Sequence, residues 1–315
     1  MSRLMRLRAA IVRVLPQPAR RFLRTVLPKR LTGWTPATRT VRIRMPDPPP
    51  GLGPVVRPRA LPPVVTMTAP YRSYVPRLLE ENGVARYEPE TMAAYLASIS
   101  VLGARDVLDI GANVGIFAIV GAATTTARIT GFEPTPSLSA TFRDTCVANA
   151  LTCDVEAIAL GSRSGRATLY LSAVTDSSNS LQAGFRPTSG AVEVPVERLD
   201  DWAARTGRRP AVIKMDTEST EPEVLAGGRE LLRAHAPWVI CEVLANRTEG
   251  QLTEILSELG YRFHHLGRGE VPTESPEIIG DPTWLQRDWL FTPGPLPPAF
   301  ATHYSAWLEA ILATR

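Results

Sequence analysis

Residues 106–115 read DVLDIGANVG. Asp106–Ile110 is a short, mostly aliphatic run, the composition of a strand buried on both faces. Gly111 and Gly115 bracket a tight turn, and the apolar residues that follow, to about 124, predict a helix. Glycine carries no Cβ, so a turn bracketed by two of them lets backbone pass close to a ligand. Strand, glycine turn and helix in that order open a doubly wound α/β sheet.

The same alternation continues outward. RITGFE (128–133), VEAIAL (155–160), VEVPV (192–196), AVIKMD (211–216), WVICEVL (238–244), YRFHHL (261–266) and DWLFTP (288–293) predict strands. Helices are expected over 137–151, 200–207, 221–235 and 247–260, and upstream over 89–100, where Pro89 suits a first turn. VVTMT (64–68) reads as a lead-in strand, and 299–315 as an added C-terminal helix. Such alternation means a mostly parallel sheet with helices on both faces. Ligands of these sheets sit at the carboxyl ends of the strands, where the chemistry is to be sought.

Composition bounds the rest. The 315 residues are 44% hydrophobic with 22 glycines, which excludes wholesale disorder. No run of about 18 apolar residues is present, which excludes a membrane-spanning helix. Three cysteines, Cys146, Cys153 and Cys241, without paired spacing argue against a disulfide framework or zinc site and fit a reduced, cytoplasmic setting. Charge is unevenly placed. Residues 1–46 hold eleven Arg, one Lys and no acid, so against a whole-chain charge of +4 the remaining residues carry −8. An acidic body argues against nucleic acid as a partner. Leu4, Leu7, Ile11, Val14 and Leu15 fall near helical spacing among arginines. Residues 1–30 are therefore either a weak contact with anionic membrane, at its inner face, or a solvated terminus. PDPPPGLGPVVRPRALPP (46–63) reads as an extended linker. The expected division is 1–63 basic segment and linker, largely disordered, then 64–295 the catalytic domain, then 296–315 the terminal helix.

At the end of the second predicted strand stands Phe132-Glu133-Pro134, and Glu133 lies 22 residues after Gly111. An acid there can accept hydrogen bonds from both ribose hydroxyls of a nucleoside cofactor. A dinucleotide turn wants G-x-G-x-x-G, whereas this one is D-x-G-A-N-x-G. The Asp109 carboxylate would repel a pyrophosphate and suits a cationic ligand. S-adenosyl-L-methionine, a sulfonium without phosphates, fits that preference. Its expected contacts are Asp109, Gly111, Ala112, Asn113, Gly115, Glu133 and Pro134, with Ala159 from the third strand.

A second set of charges lies at the fourth and fifth strands. Alternate residues of a strand share a face, so Lys214 and Asp216 point the same way, and Glu218 follows if extended geometry persists. Glu242 ends the next strand. Methyl transfer to an alcohol needs its proton removed, and Asp216 is the first candidate for that base or for orienting the acceptor. Lys214 could steady a developing alkoxide or hold Asp216. Glu218 and Glu242 could bind acceptor hydroxyls or, as oxygen ligands, a divalent ion. No tight ligand spacing is present, so no metal site is assigned. A structural Lys–carboxylate network closing the sheet ends is the competing reading.

Other polar residues have plainer explanations. Thr220 and Glu223 have capping-box spacing, and Asp200 and Asp201 stand at a helix start. His264 and His265 on a late strand read as structural. Ser177–Ser180 reads as a solvated loop rather than a cover, and Trp284 and Trp289 as core rather than a sugar platform.

Six separated blocks carry a resemblance: VLDIGANVGIFAIVGA (107–122), GFEPTPS (131–137), AIALGSRSG (157–165), VPVERLDD (194–201), VIKMDTESTEPEVLAGG (212–228) and PWVICEV (237–243). Together they resemble the FkbM-type methyltransferases over about residues 85–293. The resemblance implies a Rossmann-like, class I methyltransferase fold with seven strands. It also implies methyl transfer from S-adenosyl-L-methionine to a hydroxyl oxygen, on a small-molecule or glycan acceptor such as a sugar or other natural product. One block departs from the family pattern K-I-D-V-E-G-A-E, because Ser219 stands where the glycine is usual. Two other readings remain open. A nicotinamide-dependent oxidoreductase lacks its third glycine here and would face Asp109. A catalytically silent scaffold acting through its basic tail would have no need of Asp109, Gly111, Gly115, Glu133 and Asp216.

Overall fold

The computed structural model describes residues 37–314. The amphipathic segment and the membrane contact expected of residues 1–30 lie outside the described residues.

The body begins earlier than residue 64. Strand β1 (Thr38–Arg44) pairs antiparallel with β2 (Val64–Pro70), Thr38 opposite Pro70 and Arg44 opposite Val64. Val41 and Ile43 point into the core while Thr40, Arg42 and Arg44 face out. This alternation within an arginine-rich stretch is the pattern of a half-buried strand. The proline-rich stretch 46–63 is no free linker either. Leu52, Val55 and Ala60 are buried. The backbone N–H groups of Arg57 and Leu61 donate to the carbonyls of Thr124 and Ala123, at 2.9 and 2.8 Å. Those carbonyls end a helix and have no partner within it, so the segment closes that helix.

Next come α1 (Tyr74–Asn82), α2 (Pro89–Leu102), β3 (Asp106–Ile110), α3 (Ile116–Thr124), β4 (Arg128–Phe132), α4 (Pro136–Ala148) and β5 (Cys153–Glu156). Then β6 (Ala159–Leu160), β7 (Gly165–Ser172), β8 (Thr188–Glu197), α5 (Leu199–Thr206) and β9 (Val212–Met215) follow. The chain ends with α6 (Glu221–Gly227), α7 (Arg229–His235), β10 (Trp238–Glu242), α8 (Glu249–Glu258), β11 (Arg262–His265), β12 (Thr273–Ser275), β13 (Asp288–Thr292) and α9 (Pro298–Leu312).

The main sheet has the order β12-β11-β13-β10-β9-β3-β4-β5. Strands β5, β4, β3, β9 and β10 run parallel, and β13 inserts antiparallel between β10 and β11. The sheet is therefore α/β and mostly parallel, with eight strands rather than seven; the three-residue β12 is the added edge. The strand expected over 155–160 divides. Cys153–Glu156 joins the main sheet, and Ala159–Leu160 turns away to pair with β8 in a small sheet with β7. The helix expected over 221–235 is likewise two, meeting at Gly228.

Period-two alternation sends apolar side chains to both faces of the sheet. Val107, Ile129, Val212 and Ile240 pack with Tyr95, Phe117 and Trp307 on one side. Leu108, Phe132, Ile213 and Val239 pack with Trp202, Leu225 and Leu256 on the other. The terminal helix α9 buries Phe300, Tyr304, Trp307 and Ile311, and the Trp307 indole N–H donates to Ser100 of α2 at 3.4 Å. Asp200 serves a helix other than its own: its carboxylate accepts from the backbone of Leu231 at 2.9 Å, at the start of α7. Among the described residues, no helix is long and apolar enough to cross a membrane.

Candidate active site

A cavity of about 440 Å³ opens at the carboxyl ends of β3, β4, β9 and β10. One end is lined by Gly111, Ala112, Asn113, Glu133, Pro134 and Ala159, and the other by Lys214, Asp216, Glu218 and Glu242. Residues separated by more than 100 positions meet here because parallel strands align their ends.

The glycine turn is built by sterics on the sheet side. Gly111 has φ +75°, and a Cβ on it would overlap the backbone carbonyl oxygen of Asp216. Gly115 has φ +79°, and a Cβ there would enter the Phe142 ring. Gly115 does not line the cavity, so its absent side chain makes room for the core rather than for a ligand. Asp109 is corrected in the same way. It is 1% exposed, lies beneath the turn, and accepts from the backbone of Ala118 in the first turn of α3 at 3.1 Å. Burial pushes its carboxyl up to about 6. It holds the helix start, and the cavity wall excludes it.

Glu133 is where the sequence puts it. One carboxylate oxygen accepts from Asn113 N–H at 2.9 Å and the other from Thr135 N–H at 2.7 Å. Burial raises its pKa, and those hydrogen bonds oppose the rise. An ionised carboxylate has about four acceptor sites. The backbone takes two and the Thr135 hydroxyl a further one, while Glu133 itself lines the cavity.

Lys214 is 5% exposed, its ammonium 3.5 Å from Asp216 Oδ2 and 4.8 Å over the Phe117 ring. Burial acts to lower it, but the carboxylates of Asp216, Asp109, Glu88 and Asp288 outweigh burial and hold it charged. Glu242 forms an ion pair with Arg287. Burial first, then repulsion from Asp216, keeps the Glu242 carboxyl well above the usual range. Glu218 leaves β9 in a left-handed turn, φ +57°, with Ser219 after it at +78°. Burial and the Asp216 charge push the Glu218 carboxyl up to about 8. The left-handed geometry that a glycine would supply is thus kept by Ser219, whose buried hydroxyl has no partner.

Glu221, rather than the Thr220–Glu223 pair, holds that turn. Its carboxylate accepts from Thr217 N–H, Thr217 hydroxyl and Ser219 N–H, at 2.8, 3.0 and 3.3 Å. The Thr220 side chain turns back to the Thr217 carbonyl and makes no cap.

The loop 177–180 is a wall of the site, not free in solvent. Ser180 hydroxyl donates to the Glu218 carbonyl at 2.7 Å, and Asn179 amide to Thr135 hydroxyl at 3.3 Å. It therefore bridges the two ends of the cavity. Just upstream, Asp176 accepts from the backbone of Tyr74 at 2.9 Å, tying the loop to α1.

Four residues were not legible as site members: Tyr87, Glu88, Arg186 and Arg287 line the cavity from distant segments. Glu88 precedes Pro89 in a left-handed conformation, φ +46°, and burial with Asp288 beside it pushes its carboxyl up to about 8. An acid just before a helix-starting proline was the one available signal. His264 and His265 stand apart from the cavity. His264 Nε2 meets Thr292 hydroxyl at 2.9 Å, and His265 Nε2 meets the Gln286 carbonyl at 3.1 Å. Trp289 is core, while Trp284 is partly exposed with Arg186 5.1 Å over its ring.

Comparison with known proteins fits this arrangement. Residues 109–263 match the family model of the methyltransferase FkbM domain. The chain carries an FkbM methyltransferase domain. Its cofactor is S-adenosyl-L-methionine, and the fit can be judged on the residues: the Glu133 carboxylate lines the cavity, and the aliphatic Ile158, Ala159 and Leu160 offer an apolar wall. No curated protein matches the chain. Among solved structures it is similar to the methyltransferase FkbM from Methylobacillus flagellatus KT, at 16% identity and TM-score 0.39, covering 60% of this chain and 43% of that one. The chain thus spans less than half of that protein. It is also similar to the T. Thermophilus 16S rRNA N2 G1207 methyltransferase, at 12% identity and TM-score 0.45, covering 82% and 51%. A putative O-methyltransferase from Klebsiella pneumoniae shares 9% identity at TM-score 0.40, covering 67% and 81%.

Proposed function

We propose that this FkbM domain is an O-methyltransferase whose acceptor is a hydroxyl of a sugar or other natural product. The observation that carries this reading is the continuity of one cavity, from Glu133 and Asn113 to Lys214, Asp216, Glu218 and Glu242. When bound, S-adenosyl-L-methionine supplies an electrophilic methyl group, and its transfer to oxygen requires the hydroxyl proton to leave. Glu133 would hold the ribose, with Asn113, Pro134 and Ala159 around it. Asp216 orients the acceptor hydroxyl and takes up its proton. The Lys214 ammonium, 3.5 Å away, holds Asp216 and offsets negative charge developing on the oxygen. Glu218 and Glu242 accept hydrogen bonds from further hydroxyls. The loop 177–180 excludes water from the reacting atoms. An acceptor rich in hydroxyls suits these carboxylates, whereas a polyphosphate would be repelled, which supports a small molecule or glycan over nucleic acid. The three cysteines are unpaired, in keeping with a reduced, cytoplasmic setting.

Calorimetric titration of S-adenosyl-L-methionine into the full chain tests the cofactor side. Affinity on the order of micromolar, abolished by Glu133→Ala, is expected. Release of S-adenosylhomocysteine with a panel of hydroxylated acceptors tests the acceptor side. Asp216→Asn should keep cofactor binding and lose turnover, and turnover that survives it would sink Asp216 as the base. No cofactor binding by the folded chain would favour a silent scaffold, and binding of a nicotinamide cofactor instead would favour an oxidoreductase.

A further inference from the structure

The acceptor end of the cavity gathers five acids around three cations. Glu88, Asp216, Glu218, Glu242 and Asp288 act on one another there, against the cations Lys214, Arg287 and Arg186. Within this set, Asp216, Glu218 and Glu242 each bring a carboxylate oxygen within 4.8 Å of the other two. Two of these acids are only half satisfied. Asp216 spends Oδ2 on Lys214, and Glu242 spends Oε1 on Arg287. The other oxygen of each, Asp216 Oδ1 and Glu242 Oε2, is buried without a hydrogen-bond partner. Glu242 is 6% exposed, so water does not make up the loss. A buried acceptor left unpaired is costly, more so when charged, and two of them in one cluster call for a cationic partner.

We propose that Asp216, Glu218 and Glu242 form a binding site for a divalent, oxygen-seeking cation of the magnesium, manganese or calcium kind. The donor set is all carboxylate, with no histidine or cysteine, which selects hard cations over zinc or copper. Such ions take about six or more oxygens. Three protein carboxylates therefore leave positions for water and for two neighbouring hydroxyls of an acceptor. An ion held there would make a bound hydroxyl more acidic and ease transfer of its proton to Asp216. This use of the ion rests on the O-methyltransferase reading, whereas the binding itself does not.

The test is titration of Mn²⁺ into the chelator-treated full chain, with free Mn²⁺ followed by electron paramagnetic resonance. One saturable site per chain is expected. Its affinity should fall by about ten-fold or more in Glu242→Gln and in Asp216→Asn. Glu254→Gln, an exposed acid on α8, should leave it unchanged. If Glu242→Gln fails to fold because Arg287 loses its partner, Asp216→Asn and Glu218→Gln decide the matter. No saturable binding by the folded wild-type chain, or binding unchanged in the folded variants, overturns the site. Cofactor titration of the same sample separates the two readings. S-adenosyl-L-methionine binding without Mn²⁺ binding overturns the ion alone, and Mn²⁺ binding without the cofactor overturns the methyltransferase reading alone.

Discussion

The backbone carbonyl oxygen of Asp216 stands where a Cβ of residue 111 would be, so the cofactor turn and the acceptor strand are in direct backbone contact. Asp216 N–H also donates to the Ile110 carbonyl at 2.9 Å. The two halves of the site are therefore one rigid unit, and moving either displaces the other.

Gly111→Ala forces that contact apart and also places a side chain at φ +75°. The sum of overpacking and left-handed strain is about 3 kcal/mol. Denaturant unfolding should show a loss of that order, and cofactor affinity should fall with it. A variant of unchanged stability would mean that the turn has another way to relax.

Glu133→Gln keeps the shape of the side chain but sets an amide donor against one of two backbone donors, Asn113 N–H or Thr135 N–H. Hydrogen bonds to a charged group contribute about 1.5–3 kcal/mol. Calorimetry should therefore record S-adenosyl-L-methionine affinity lower by roughly ten-fold or more, with the circular dichroism spectrum of the fold retained.

Ser219→Gly should stabilise the protein. Ser219 holds φ +78° and buries a hydroxyl with no partner, and glycine removes both costs. The entropy glycine loses on folding offsets part of the gain, leaving about 1 kcal/mol. A melting temperature higher by a few degrees is expected, with turnover close to that of the parent.

Stability should fall as pH rises from about 5 to about 8 and level off above that. Glu218 and Glu88 are pushed up to about 8 by burial first and by neighbouring carboxylates second. Each holds a proton in the folded state that the unfolded chain has already released. Their contribution is complete below the unfolded value, near 4.5, and is lost as pH rises through 8. Thermal melts from about pH 5 to about pH 9 check this, and Glu88→Gln should flatten the slope.

The readable parts of the site are those whose signal is local. The turn 109–115 and Glu133 share one βαβ unit, so a spacing of 22 residues finds them. Lys214 lies in β9 and Asp216 just beyond its end, so period two finds them. What a spacing could not give is the use made of each residue. Asp109 by spacing faces a cationic ligand, yet in the fold it faces Ala118 N–H at 3.1 Å. A buried acid and a ligand-binding acid look alike until the helix behind them is placed.

Alternation of aliphatic strands with helical stretches, unaided, determined the α/β class, the parallel centre of the sheet and the end where ligands bind. Local backbone geometry and period-two burial require no distant contact to be read. Tertiary structure alone decided the antiparallel insertion of β13, which puts Asp288 opposite Glu242 and brings Arg287 to it. It alone turned residues 38–63 from a basic tail into a strand and a cover for α3. It alone gathered Asp216, Glu218 and Glu242 within 4.8 Å. These outcomes depend on which strand edges pair, and pairing is set by the burial of whole faces rather than by any short run of residues.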